Sequence, residues 1–225
     1  MTRLAHPIQI ALVLLVGCIV PLQASILIWD RTEARIEMKP EESEVRASFK
    51  VTNNGDETLR ITDIKASCGC TGSVIDRRII EPGKSTEIQA TFNKGKRKGK
   101  NHTKLNVYID SQPDAVATLH MIVDIPELVE TQPRIVFWND KTAKTPRSVR
   151  VDLDERYVDP EKVTIDCDES LFTVVKESDP SGRADFILKL EPVDYTQKKR
   201  HSIEITAKGL DGLPDGEGKI HVFVQ

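Results

Sequence analysis

Cysteine is scarce in this chain, with four residues in 225. That excludes a small scaffold held by many disulfides and requires hydrophobic cores. Long apolar runs are missing after residue 20, so no transmembrane span is expected in the mature chain. A helical period is missing as well, since nothing from Ile26 onward repeats its apolar residues at helical spacing. Positive charge is not concentrated enough for a nucleic-acid protein. Residues 26–125 hold 16 Lys and Arg against 15 Asp and Glu, and residues 126–225 hold 15 against 20.

Catalytic signatures are absent too. There is no Gly-x-Ser-x-Gly, no His-Glu-x-x-His and no glycine loop of the phosphate-cradling kind. His102, His120, His201 and His221 are scattered, each expected at a solvent-facing strand position and none at metal-ligand spacing from another. Hydrolase chemistry is therefore unsupported, and no catalytic or cofactor-binding residue is assigned.

What is present begins with an export signal. A short positive start, Met1-Thr2-Arg3, leads into an apolar stretch from Ile8 to Val20 that is too brief to span a membrane. Cleavage after Ala24 would leave a periplasmic or secreted protein starting at Ser25. Leu15-Val16-Gly17-Cys18 offers an alternative, a lipobox that would make Cys18 a lipidated N-terminus. The residues after Cys18 are apolar where a lipoprotein has a polar tether, so cleavage after Ala24, giving a signal peptide of residues 1–24, is the preferred reading.

The rest reads as β. Val45, Ala47, Phe49 and Val51 alternate inward, and Asn53-Asn54-Gly55 supplies left-handed turn chemistry after them. Leu59–Ala66, Ile79-Ile80, a strand with Ile88, Ala90 and Phe92 inward, Leu105–Ile109 and Ala117–Ile125 follow. About seven short strands at this spacing indicate a β-sandwich over residues 26–125. Residues 126–133, bracketed by Pro126 and Pro133, look like a linker. The pattern then restarts at Arg134–Trp138 and predicts a second sandwich over residues 134–225. Asn93–Lys104 is a dense basic run, expected as a solvated hairpin tip whose lysines discourage edge pairing; its functional reading is contact with envelope phosphates or an acidic partner.

The chemically loaded stretch is Ser67-Cys68-Gly69-Cys70-Thr71. On an extended strand, residues two apart share a face, so both sulfurs emerge together, and Gly69 lets the backbone bend. Three readings stand open. In the first, Cys68 and Cys70 are small buried hydrophobes at a tight strand end. In the second, a bend at Gly69 closes a disulfide between them that serves redox exchange. In the third, two thiolates on one face hold copper(I), in a manner similar to the β-sandwich copper-delivery factors of cytochrome oxidase assembly, which carry a Cys-x-Cys pair. Zinc fits less well, because no nearby His or Cys completes four ligands. Cys167, after Val163 and Ile165 at period two, is expected as a buried free thiol of the second core.

Phe49-Lys50-Val51-Thr52-Asn53-Asn54-Gly55, Ser67-Cys68-Gly69-Cys70-Thr71 and Pro82-Gly83 together resemble the bacterial domain-of-unknown-function family 1573, over roughly residues 30–125. The resemblance implies an immunoglobulin-like sandwich, related in shape to major sperm protein and to ASH domains. It implies a bacterial envelope setting, and it brings no activity. The expected protein is thus all-β, two tandem immunoglobulin-like sandwiches after a signal peptide. Its expected role is that of an exported, non-catalytic binding or assembly module with an envelope protein as partner and no cofactor. The alternative is a copper(I)-binding or thiol–disulfide protein acting through Cys68 and Cys70.

Overall fold

Strand formation follows the two-residue alternation of apolar side chains. The computed structural model describes residues 26–110 and 112–225, so the expected signal peptide, its expected cleavage after Ala24 and the lipidation reading at Cys18 lie outside the described residues. In the first half the strands are β1 (Leu27–Trp29), β2 (Glu33–Glu37), β3 (Glu44–Asn53), β4 (Leu59–Ala66), β5 (Thr71–Ile75), β6 (Ile79–Ile80), β7 (Ser85–Asn93), β8 (Gly99–Ile109) and β9 (Ala117–Ile125). They form a four-stranded sheet in the order β1-β3-β7-β5 and a five-stranded sheet in the order β2-β9-β8-β4-β6. The second half contains β10 (Val129–Gln132), β11 (Ile135–Trp138), β12 (Arg147–Leu153), β13 (Val158–Asp166), β14 (Phe172–Glu177), β15 (Phe186–Pro192), β16 (Lys199–Gly209) and β17 (Gly216–Val224). These make two four-stranded sheets, β10-β12-β15-β14 and β11-β17-β16-β13. The protein is all-β, and its sheets are mostly antiparallel. The exceptions are β2 on β9 and β11 on β17, which run parallel.

Each half buries its own core. Phe49, Ile88, Phe92, Leu105 and Met121 are fully enclosed in the first, and Trp138, Phe172, Leu188, Ile205 and Val222 are enclosed in the second. Each core draws on both sheets of its half, and no buried hydrophobic residue belongs to both cores. Burying one such side chain stabilises by roughly 1.5–3 kcal/mol, so these rows supply the main driving force.

Four local expectations change. Asn53-Asn54-Gly55 does not form a left-handed turn, since none of the three has a positive φ. Asn53 is instead fully buried: its Nδ2 donates to Glu57 O (2.7 Å) and Ile80 O (2.8 Å), and its Oδ1 accepts from Gly55 N (3.0 Å). In β4 the simple alternation is broken by a register shift between Ile61 and Asp63, which turns Ile64 rather than Asp63 inward. The basic run is only half a hairpin tip, because β8 already begins at Gly99 and presents Lys100, His102 and Lys104 outward. The expected linker is partly a strand: β10 occupies Val129–Gln132, with Val129 and Thr131 buried. Its alternation uses a threonine where an apolar residue is the usual signal, which is why it reads as polar connector.

Candidate functional site

Ser67–Cys70 is a crossover between sheets. The chain leaves β4 in the five-stranded sheet, bends through these four residues and enters β5 in the facing four-stranded sheet. The bend is pinned on both sides. Ser67 N donates to Lys104 O (2.8 Å), Lys104 N donates to Ser67 Oγ (3.0 Å), and Asn93 N donates to Cys70 O (2.9 Å). The two cysteines are therefore not neighbours on a flat strand. The bend brings their Cα atoms to 5.3 Å, and the sulfurs are joined in a disulfide. Gly69 is exposed, has no positive φ and has open space where a Cβ would stand. The bend does not depend on a conformation reserved for glycine.

Two threonines to which the sequence reading assigned no role complete the site. Thr71 and Thr103 are both buried, and the Thr71 hydroxyl donates to Thr103 Oγ1 (3.1 Å). Thr103 Oγ1 lies 3.4 Å from Cys68 Sγ and 3.8 Å from Cys70 Sγ, and Thr71 Oγ1 lies 3.9 and 3.8 Å from the same atoms. Thr103 sits 33 residues beyond Cys70 on β8, in a stretch polar on both faces, so only the sheet register reveals it. Cys68 is half-buried and Cys70 buried, which leaves Cys68 the more approachable sulfur. In the bridged state neither sulfur is a thiolate; two electrons would have to enter before the pair could hold a soft metal. Among the described residues, no group of three or more His, Cys, Asp and Glu is placed to hold a metal ion.

Cys167 is free and half-buried rather than fully enclosed. It packs against the second core, and its Sγ lies 3.7 Å from Phe172 O. Burial, reinforced by Asp168, Asp166 and Glu169, pushes its thiol up to about 11. That holds it as the unreactive thiol at neutral pH.

The histidines are less scattered than their spacing suggests. His102 Nε2 and His120 Nδ1 lie 2.8 Å apart across β8 and β9. They are 18 residues apart in sequence and become neighbours only through the strand register, diagonal to the pairs His102–Ile122 and Lys104–His120. His201 accepts from Asp168 N (3.2 Å) and stacks on Phe172, while His221 contacts the Ser202 hydroxyl at 3.1 Å.

An immunoglobulin-like sandwich with an oxidised Cys-Gly-Cys crossover is the class that the fold and site define. The family model described as "Protein of unknown function (DUF1573)" matches residues 27–124. A search of curated proteins found no match. Among solved structures, the chain is similar to the VesB protease of Vibrio cholerae, at 16% identity and a TM-score of 0.35, covering 44% of this chain and 32% of that one. It is similar to the YadV chaperone at 13% identity and a TM-score of 0.34, covering 87% of this chain and 99% of that one. It is also similar to mouse clustered PcdhgC3 EC1-3, at 14% identity and a TM-score of 0.37, covering 88% of this chain and 67% of that one. None of the three lends this chain an activity.

Proposed function

We propose that the protein is an exported, non-catalytic binding module of the bacterial envelope that recognises a protein partner through its strand edges. One observation carries this reading. Of the eight large apolar residues exposed among the described residues, six stand on edge strands: Ile28 on β1, Val74 on β5, Ile79 on β6, Ile135 and Phe137 on β11, and Val175 on β14. Sheet edges in monomeric proteins are normally guarded by charge, proline or cover. Apolar side chains beside unpaired backbone groups are what strand addition by a partner uses. The N-terminal export pattern supports an envelope location.

The test is site-specific photo-cross-linking in bacteria producing the chain, with the reactive residue placed at Ile28, Val74, Ile135 or Val175 in turn and at the covered Ile205 as control. The module reading predicts a discrete protein adduct, in the envelope fraction, from at least one edge position and none from Ile205. Adducts from no edge position, or a chain retained in the cytoplasm, would overturn it.

The hydroxyl-ringed disulfide favours a second reading, thiol–disulfide exchange. An external thiolate would attack the more exposed Cys68 Sγ, forming a mixed disulfide there, and the S–S bond would break to release Cys70 as a thiolate beside the Thr71 and Thr103 hydroxyls. A second external thiolate would free Cys68 and carry the disulfide away. Copper(I) would then have two thiolates to bridge. Cys70→Ser should trap a mixed disulfide on Cys68 in cells; an unmodified Cys68 thiol there removes this reading.

A further inference from the structure

We infer that the open edge of β11, with the adjoining start of β12, is a docking groove for an extended protein segment that carries a carboxylate among apolar side chains. The inference rests on the binding-module reading and names one of its edges and the chemistry of the partner.

The groove arises from a change of sheet. β10 pairs with β12 only at Arg150–Leu153. Beyond Pro133 the chain passes into the other sheet, where β11 runs beside β17. Arg147–Val149 therefore have β15 on one side and no strand on the other. β11 likewise has a strand on one side only. Between them lies a groove of about 550 Å³, lined by Pro133, Ile135, Phe137, Thr142, Pro146 and Arg147 among others.

The backbone of β11 is turned to receive a strand. Arg134 O accepts from His221 N (2.9 Å) and Trp138 O accepts from Gln225 N (2.9 Å), so these carbonyls face β17. Successive residues of a strand direct their backbone groups to opposite sides, which sends the N–H and C=O of Ile135 and Phe137 toward the open edge. Their side chains are 58% and 50% exposed, while Val136 and Trp138 fill the core.

Arg147 sets the partner's charge. It shares its strand face with the buried Val149 and Val151, so it stands at the end of a core-facing row. Its Nε is buried without a hydrogen-bond partner, and its guanidinium makes no ion pair among the described residues. Glu191 on the neighbouring β15 instead accepts from the Tyr195 hydroxyl (2.9 Å). Buried unpaired donors are rare in native proteins, and a carboxylate is the acceptor that a guanidinium fork matches. Apolar rims, two strand edges without neighbours and an unanswered cation together select a peptide segment with one acidic residue.

The probe is a fluorescein-labelled octapeptide of alternating valine and threonine with amidated C-terminus and one central glutamate, compared with its glutamine counterpart. Anisotropy titration of the whole mature chain should show the glutamate peptide binding roughly tenfold more tightly, as one charge-assisted hydrogen bond implies. Arg147→Met should abolish that preference while retaining the weaker binding common to both peptides. Ile135→Pro should remove binding of both, because it deletes an edge N–H that β17 does not use. Equal affinity of the two peptides for the parent chain, or an Arg147→Met variant that keeps the preference, would overturn the inference without any question of misfolding in the first case. If neither peptide binds while edge cross-links persist elsewhere, this groove is wrong and the module reading stands; if cross-links also vanish from every edge, both fail.

Discussion

Asn53 is a polar side chain sealed in an apolar core, and it is held there because its amide joins the end of β3 to the following turn and to β6. Asn53→Ala would leave the buried carbonyl of Ile80 and the half-buried Glu57 carbonyl and Gly55 N–H without their partner. A loss of about 2–4 kcal/mol is expected in urea unfolding, since each orphaned group costs about 1–3 kcal/mol and the surroundings partly relax. Gly69→Ala should behave oppositely. With open space at the Cβ position and no left-handed backbone, its midpoint should shift by no more than about 0.5 kcal/mol equivalent, and the disulfide should still form. Cys167 supplies a pH-dependent prediction. An acid whose pKa rises on folding holds its proton more tightly in the native state, so its contribution to stability is complete below the unfolded value near 9.0 and is lost as pH climbs toward about 11. Native alkylation by iodoacetamide should therefore reach half its limiting rate near pH 11; a midpoint near 9 would contradict the burial argument.

At the scale of elements, much was legible because most strands carry clean alternation. β3 and β7 place Val45, Ala47, Phe49 and Val51 against Phe92, Ala90, Ile88 and Thr86 in register, as their sequences suggest. What escaped was every place where a polar residue takes an inward position for a specific partner. Thr103 faces in to meet the disulfide, Thr131 faces in from β10, and Asn53 closes β3; none of these carries an apolar signal. The bulge in β4 was hidden for a related reason, since Ile61 and Ile64 are three apart and only a skipped pair reconciles them with one face. The disulfide was one of three open readings, because the Cα separation of a bend is not written in the spacing of its cysteines. The groove at β11 needed the change of sheet at Pro133. Hydrogen exchange should follow this layering: amides in the central strands β3 and β7 should exchange slowest in their sheet, and those of β1 and β5 at its edges fastest.

At the scale of the whole molecule, the two halves have separate cores and touch through polar contacts such as Lys98 Nζ donating to Glu217 O (2.6 Å) and the exposed Arg156–Glu37 pair (3.4 Å). Exposed pairs contribute little, about 0–1 kcal/mol each. A fragment of residues 26–127 produced alone should therefore fold, with a thermal midpoint within a few degrees of the corresponding transition in the full chain. Among the described residues no helix is long and apolar enough to cross a membrane. Binding rather than thiol chemistry is the role proposed for the protein, and the two separate cleanly in one experiment. The yield of cross-linked adduct from an edge position is compared between the parent chain and the Cys68→Ser, Cys70→Ser double variant, with folding of the variant checked by far-ultraviolet circular dichroism. A folded variant that forms the same adduct within about twofold is the result expected of a binding module. A folded variant that loses the adduct would contradict the account and move the function to the two sulfurs.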